Sequence, residues 1–274
     1  MKKRRIIPVV LLREGFLVQS KGFARYQNLG NPMSAVKRLS EWGSDELIYL
    51  DITRGETYDQ RRDDLRHPNR RSLIEIVKDV AAVSFMPITF GGGIRSVGQI
   101  HDLIHNGADK VAITSEAVTN PDFISQAAHA FGAQCIVAGI DVRLEVDGTY
   151  QVYADGGREP TGRDPLSWAR EAESRGAGEI LLQAIHCDGL RQGFDLGLID
   201  KVSKAVHVPV IALGGAGELE HFSQVLEQTS ADAVAAANIF NYMDQSMYLI
   251  RQHLYERKLN VRAPSLHTFG ERMR

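Results

Sequence analysis

"FGGGIRS" (90–96) followed by "GADKVAITSEAV" (107–118) recurs along the chain as "LGGAGEL" (213–219) followed by "SADAVAAANIF" (230–240). In both copies an apolar run stops at paired glycines, a segment of helical length follows, and a second apolar run stops at small residues. The match extends upstream, where "DELIYLDI" (45–52) resembles "GEILLQAI" (178–185). Self-similarity of this kind means that one supersecondary unit has been used twice. It sets "IIPVVLL" (6–12) against "CIVAGID" (135–141), so Leu11 and Asp141, 130 residues apart, become equivalent positions.

Eight apolar runs can be read in all, the others being "MPITFGG" (86–92), "KVAIT" (110–114), "VPVIALGG" (208–215) and "DAVAAA" (232–237). Between them lie segments of helical period such as "NPMSAVKRLSEWG" (31–43), "SLIEIVKDVAAV" (72–83), "PDFISQAAHAFG" (121–132) and "DPLSWAREAESRG" (164–176). Several open on a capping Asn, Ser or Asp and close at glycine. Strands without polar alternation are buried on both faces, which a parallel sheet covered by helices requires. The reading is an α/β chain, a (β/α)8 TIM barrel with an internal half-barrel repeat, occupying 1–262 as one domain. An open flavodoxin-like or Rossmann sheet is disfavoured because no run looks like a polar edge strand. Outside the minimal barrel fall an arginine-rich loop at 54–71, after strand 2, and a polar tail at 263–274.

The chain has 274 residues, 43% hydrophobic and 24% charged, with a formal charge of −2. That balance supplies no basic field for nucleic acid. Cys135 and Cys187 are isolated in apolar runs and read as small core residues of a chain in a reducing cytoplasm. The start "MKKRRIIPVVLLREG" imitates a signal peptide, but Arg13-Glu14 follows the apolar run where small residues would be needed for cleavage. No stretch approaches the roughly 20 apolar residues that span a bilayer. His186, Cys187 and Asp188 are adjacent and point in different directions, so no metal site is expected there and no cofactor is implied.

Chemistry is expected at the C-terminal ends of the strands. Gly92-Gly93 and Gly214-Gly215 leave backbone N–H groups open to an anion, and Thr114-Ser115 and Ala237-Asn238 lie beside them. Two such nests in equivalent places imply a ligand with a phosphate at each end. Asp141 can act at the barrel mouth as a general acid or base, with Asp51 on the same face. At the opposite end Arg5, Glu46, Lys110 and Glu179 each begin a strand, and closure brings them into one ring of alternating charge.

These segments, with "VAGIDV", "GFD", "IALGGAGELEHF" and the late "NVR", resemble in order the cyclase subunit of imidazole glycerol phosphate synthase over almost the full length. The resemblance implies a barrel that works with a separate glutaminase. Ammonia from that partner enters at the barrel floor and reacts at the top with a doubly phosphorylated aminoimidazole precursor of histidine. It also implies that the ring of Arg5, Glu46, Lys110 and Glu179 is the ammonia gate.

The top departs from the family pattern. The first of two acid–base aspartates is Leu11, leaving Asp141 as the second. The loop-1 lysine falls on Gln19, with Lys21 nearby. Small hydroxyl residues of strands 6 and 7 become Gln183 and Leu213, and the first strand-6 aspartate becomes His186, two residues before Asp188. Retained ammonia delivery with altered top-face chemistry follows, in a synthase subunit of this family whose acceptor is either the histidine precursor or a sugar-derived molecule. The competing expectations are an ammonia-delivering subunit that builds acetamidino groups on a bacterial surface sugar, a non-catalytic conduit that docks the glutaminase, and an unrelated phosphate-binding isomerase.

Overall fold

The computed structural model describes residues 3–55, 58 and 70–265. The described residues contain twelve strands: β1 Arg5–Arg13, β2 Phe16–Lys21, β3 Arg25–Gly30, β4 Leu47–Asp51, β5 Ile88–Gly91, β6 Lys110–Ile113, β7 Ile136–Leu144, β8 Tyr150–Ala154, β9 Glu159–Pro160, β10 Glu179–Ala184, β11 Val210–Leu213 and β12 Ala233–Ala236. Eight of them, β1, β4, β5, β6, β7, β10, β11 and β12, pair in parallel and close into a barrel, with helices around it. The chain is a (β/α)8 TIM barrel. Most of the loop at 54–71 and most of the tail at 263–274 lie outside the described residues.

Each barrel strand serves two cores, which is why the strands read as unbroken apolar runs. Ile6, Val10 and Leu12 of β1, Leu47 and Tyr49, Ile180 and Leu182 face outward to the helices. Their neighbours Ile7, Val9 and Leu11, Ile48, Leu181, Ile211 and Ala235 face inward and fill the lumen. Helix starts are fixed locally: the Asn31 side chain accepts from the Met33 amide at 2.8 Å and Asp164 from the Ser167 amide at 2.8 Å, each followed by a proline in the first turn.

Strand register defines the repeat. Starting at Leu11, the parallel pairs run to Leu50, Gly91, Ala112 and Val137, four residues before Asp141. Starting at Asp141, they run to Gln183, Leu213, Ala235 and Ile7, four residues before Leu11. Each half contributes the same stagger, and together they make the eight-residue shear of a TIM barrel. Leu11 and Asp141 are therefore equivalent in space. The register also sets Gly92 with Gly214, one residue away from the sequence match that aligns Phe90 with Leu213.

Two antiparallel excursions correct the expectation that no polar edge strand exists. β1 continues into β2 and β3, and β7 into β8 and β9, so both halves carry an extension after their first strand. Four of the six β3 residues are exposed. The tip of the first extension folds back over the barrel mouth: the Gly22 amide donates to the Asp188 carbonyl at 3.1 Å, and the Asn238 side-chain amide donates to the Ser20 carbonyl at 2.7 Å.

Candidate active site and floor ring

The inward row of β7 carries Asp141, directly beside Gln183 of β10 in the ladder. Asp141 is half-buried at the mouth, and among the described residues nothing donates a hydrogen bond to its carboxylate. Burial, with the nearby Asp188 charge second, pushes its pKa up to about 7. Asp188 is itself pushed up to about 6 by burial, against the Ser20 hydroxyl, the Phe23 and Gly22 amides and the Gln183 side chain that favour its charged form. The two carboxyls thus flank Gln183, one tied down and one free. A free carboxyl that titrates near neutrality can both give and take a proton at working pH.

The opposite wall cannot. Leu11 is buried and packs into the lumen cluster with Val18 and Leu213, bordered by Leu50, Ile52 and Ala237. Asp51 faces a different job from Asp141: its oxygens accept from the Thr53 amide at 2.9 Å and the Tyr58 hydroxyl at 2.7 Å. Burial nevertheless raises its pKa. With both oxygens engaged, Asp51 anchors the loop after β4. Tyr58, inconspicuous inside an arginine-rich loop, is the residue that makes this anchor.

The remaining top-face positions divide. Gln19 pairs with Gln27 across the β2–β3 hairpin, and Lys21, exposed, pairs with Arg25. His186 is engaged elsewhere. Its Nε2 lies 3.0 Å from Asp195, which also accepts from the Tyr150 hydroxyl at 2.7 Å, and the Leu144 amide donates to its Nδ1 at 3.2 Å. Asp195 pushes the imidazole up to about 9, whereas the Leu144 amide can donate only to a neutral ring, so the two contacts favour opposite protonation states. The strand ends at Ala184, and the single turn Ile185–Cys187 commits His186 to this network.

Both glycine pairs are left-handed, and at three of the four positions a side chain would collide. Gly92 and Gly215 have φ of 116° and 114°, and a Cβ would strike the Asp51 and Gly193 carbonyls respectively. Gly93 has φ of 63° and open space around it. Gly92→Ala and Gly215→Ala are expected to cost about 2–3 kcal/mol each, and Gly93→Ala only about 1. Urea unfolding checks the order; equal losses at 92 and 93 would contradict it. Of the residues beside the nests, Ser115 accepts the Asp155 amide at 3.0 Å and Asn238 holds Ser20. Thr114 lies against Gly139, whose Cβ would strike its hydroxyl.

At the strand starts Arg5, Glu46, Lys110 and Glu179 meet in a closed ring. Arg5 donates to Glu46 at 2.6 Å and also to Glu179; Lys110 donates to Glu46 at 2.5 Å and to Glu179 at 2.9 Å. Burial pulls the cations down, but both carboxylates outweigh it, so Arg5 and Lys110 are raised. Burial likewise pushes Glu179 up, and Arg5 and Lys110 overcome it. The same inward rows connect this ring, through the apolar lumen, to Asp141 and Leu11. Among the described residues, no group of three or more His, Cys, Asp or Glu is placed to hold a metal, and no helix is long and apolar enough to cross a membrane.

The histidine biosynthesis protein family matches residues 5–245. The chain belongs to this family. It is 41% identical over 262 residues to the imidazole glycerol phosphate synthase subunit HisF of Streptococcus sanguinis (strain SK36), which covers 96% of this chain and all of the relative. The HisF subunits of Streptococcus mutans serotype c (strain ATCC 700610 / UA159), 41% identical, and Bacillus cereus (strain G9842), 39% identical, match over the same span. Leu11, Gln19, Gln183, Leu213 and His186 all fall at one end of the barrel. The four-charge ring lies at the other.

Proposed function

We propose that this chain is the synthase subunit of an enzyme of the imidazole glycerol phosphate synthase type. A glutaminase docks on the strand-start face and releases ammonia at the floor ring. Ammonia crosses the lumen to a ligand phosphorylated at both ends, held by the nests at Gly92-Gly93 and Gly214-Gly215, and Asp141 moves the proton. The observation that carries this reading is the alignment of a closed charge ring, an apolar lumen and one unpartnered carboxyl on the same inward rows of a family barrel. Neutral ammonia suits an apolar passage, since an ammonium ion would lose hydration there without a counter-charge.

Leu11 favours a second acceptor over the histidine precursor. Leucine transfers no proton, and loss of one positioned acid–base group costs about 10²- to 10⁴-fold in rate. With Gln183 and Leu213 also changed, a sugar-derived acceptor that gains an acetamidino group fits the altered wall. Complementation separates the two readings. Growth of a histidine auxotroph lacking its own cyclase subunit supports the histidine precursor; a folded, soluble chain that fails to restore growth supports the sugar. An Asp141→Asn chain that works as well as wild type in the complete system would instead favour the non-catalytic conduit.

A further inference from the structure

Above Leu11 and Leu50 the inward rows continue to Arg13 and Ile52, and these two residues border a cavity of about 320 Å³ that also takes in Phe23, Tyr26, Arg54 and Arg158. Among the described residues no carboxylate lines it. Its walls come from four places: the end of β1, the loop after β4, the tip of the β2–β3 hairpin and the β8–β9 turn. The hairpin tip is held by Asp188 and Asn238 as described above, and Phe23 is pressed against the backbone at Gly157.

The cations in this cavity are unevenly matched. Arg13 lies 4.9 Å from the centre of the Tyr26 ring, and neither the Arg13 nor the Arg54 side chain makes a hydrogen bond or ion pair among the described residues. Arg158 donates to Asp155 at 2.7 Å, but the two side chains are 45% and 51% exposed. Such a pair contributes little and can re-pair easily. All three arginines line the same cavity as Tyr26, so they border one volume. The repeat equivalent of Arg13 is used differently: Arg143 donates to the Gly157 carbonyl at 2.8 Å and covers Tyr153 at 4.4 Å. The half-barrel whose strand end is leucine is therefore the one with uncommitted arginines above it.

We propose that this cavity is a third anion site, which binds a phosphate or carboxylate of the acceptor close to its reacting part. The guanidinium fork matches either oxyanion through paired N–H donors, whereas the glycine nests offer backbone amides. Acceptor choice is then set by a group that the nests do not read. The identity of the bound molecule as an acceptor rests on the proposed function; the anion site itself does not.

Crystals soaked in inorganic phosphate, paired with calorimetric titration of pyrophosphate at fixed ionic strength, test it. Phosphate density is expected between Arg13, Arg54 and Arg158, separate from any at the nests. Arg13→Gln and Arg54→Gln, both on exposed side chains, are each expected to weaken binding at this site at least tenfold without a change in melting temperature. Isotherms that superimpose on wild type for both variants, or an empty cavity in soaked crystals, would overturn the proposal. Density here with empty nests would sink the two-phosphate ligand and leave this site standing. Displacement of phosphate by malonate assigns the site to carboxylates as well; resistance to malonate restricts it to phosphate.

Discussion

Asp141→Asn is expected to lower ammonia-dependent turnover by about 10²- to 10⁴-fold and, at the same time, to make the protein more stable above pH 7. Both effects come from one property of the wild-type group. Its pKa is raised from 3.8 to about 7, so between those values the folded chain binds a proton that the unfolded chain has released. Stability contributed by the neutral carboxyl is fully present below pH 3.8 and is lost as pH rises through about 7. Asparagine never ionises and escapes that loss, a gain of up to a few kcal/mol, since each tenfold change in proton affinity is worth about 1.4 kcal/mol. An inactive variant that melts higher than wild type at pH 8 and equally at pH 4 is the expected result. A variant that melts lower at pH 8 would show that the carboxylate is stabilised by a partner, contrary to its unpartnered position.

Breaking the floor ring is the second large effect. Removing Glu46 leaves Arg5 and Lys110 sharing Glu179 alone, in a site where Glu46 is 3% exposed. Deleting one partner of a buried ion pair costs about 3–5 kcal/mol because the remaining charge is uncompensated. Glu46→Ala and Lys110→Ala are therefore expected to destabilise the chain by about 3 kcal/mol, partial exposure of the cations tempering the loss. Their functional signature is more specific. Turnover with glutamine through the partner is expected to fall at least tenfold relative to turnover with added ammonium, since added ammonia can reach the mouth from solvent. A parallel fall in both activities would assign the ring to stability alone.

Much of this was legible in the sequence. The half-barrel repeat could be read because burial on both faces leaves eight runs with no polar alternation, and the equivalence of Leu11 and Asp141 followed from it. The ring members could be grouped because each stands at the start of its apolar run. The antiparallel extensions were missed for a physical reason: β3 is exposed and polar, so it carries no apolar run. Turn chemistry held the signal, since Glu14-Gly15, with φ of 53° and 77°, and Asp147-Gly148, with Gly148 at 83°, sit where hairpins reverse. His186 could not be placed from spacing, because a single tight turn after β10 decides which way its ring faces. Arg13, Arg54 and Arg158 are far apart in sequence, and only the folded extensions bring them together.

The most direct test follows the nitrogen. The chain, its glutaminase and glutamine labelled with 15N at the side-chain amide are combined with the acceptor in a buffer holding unlabelled ammonium in excess over the glutamine consumed but below the level that supports turnover without the glutaminase, and the product is weighed by mass spectrometry. Nearly complete 15N incorporation is expected if ammonia crosses from the floor ring through the lumen to Asp141. Label diluted to the isotopic composition of the bulk would mean that nitrogen reaches the mouth from solvent, and the passage through the barrel would have to be abandoned.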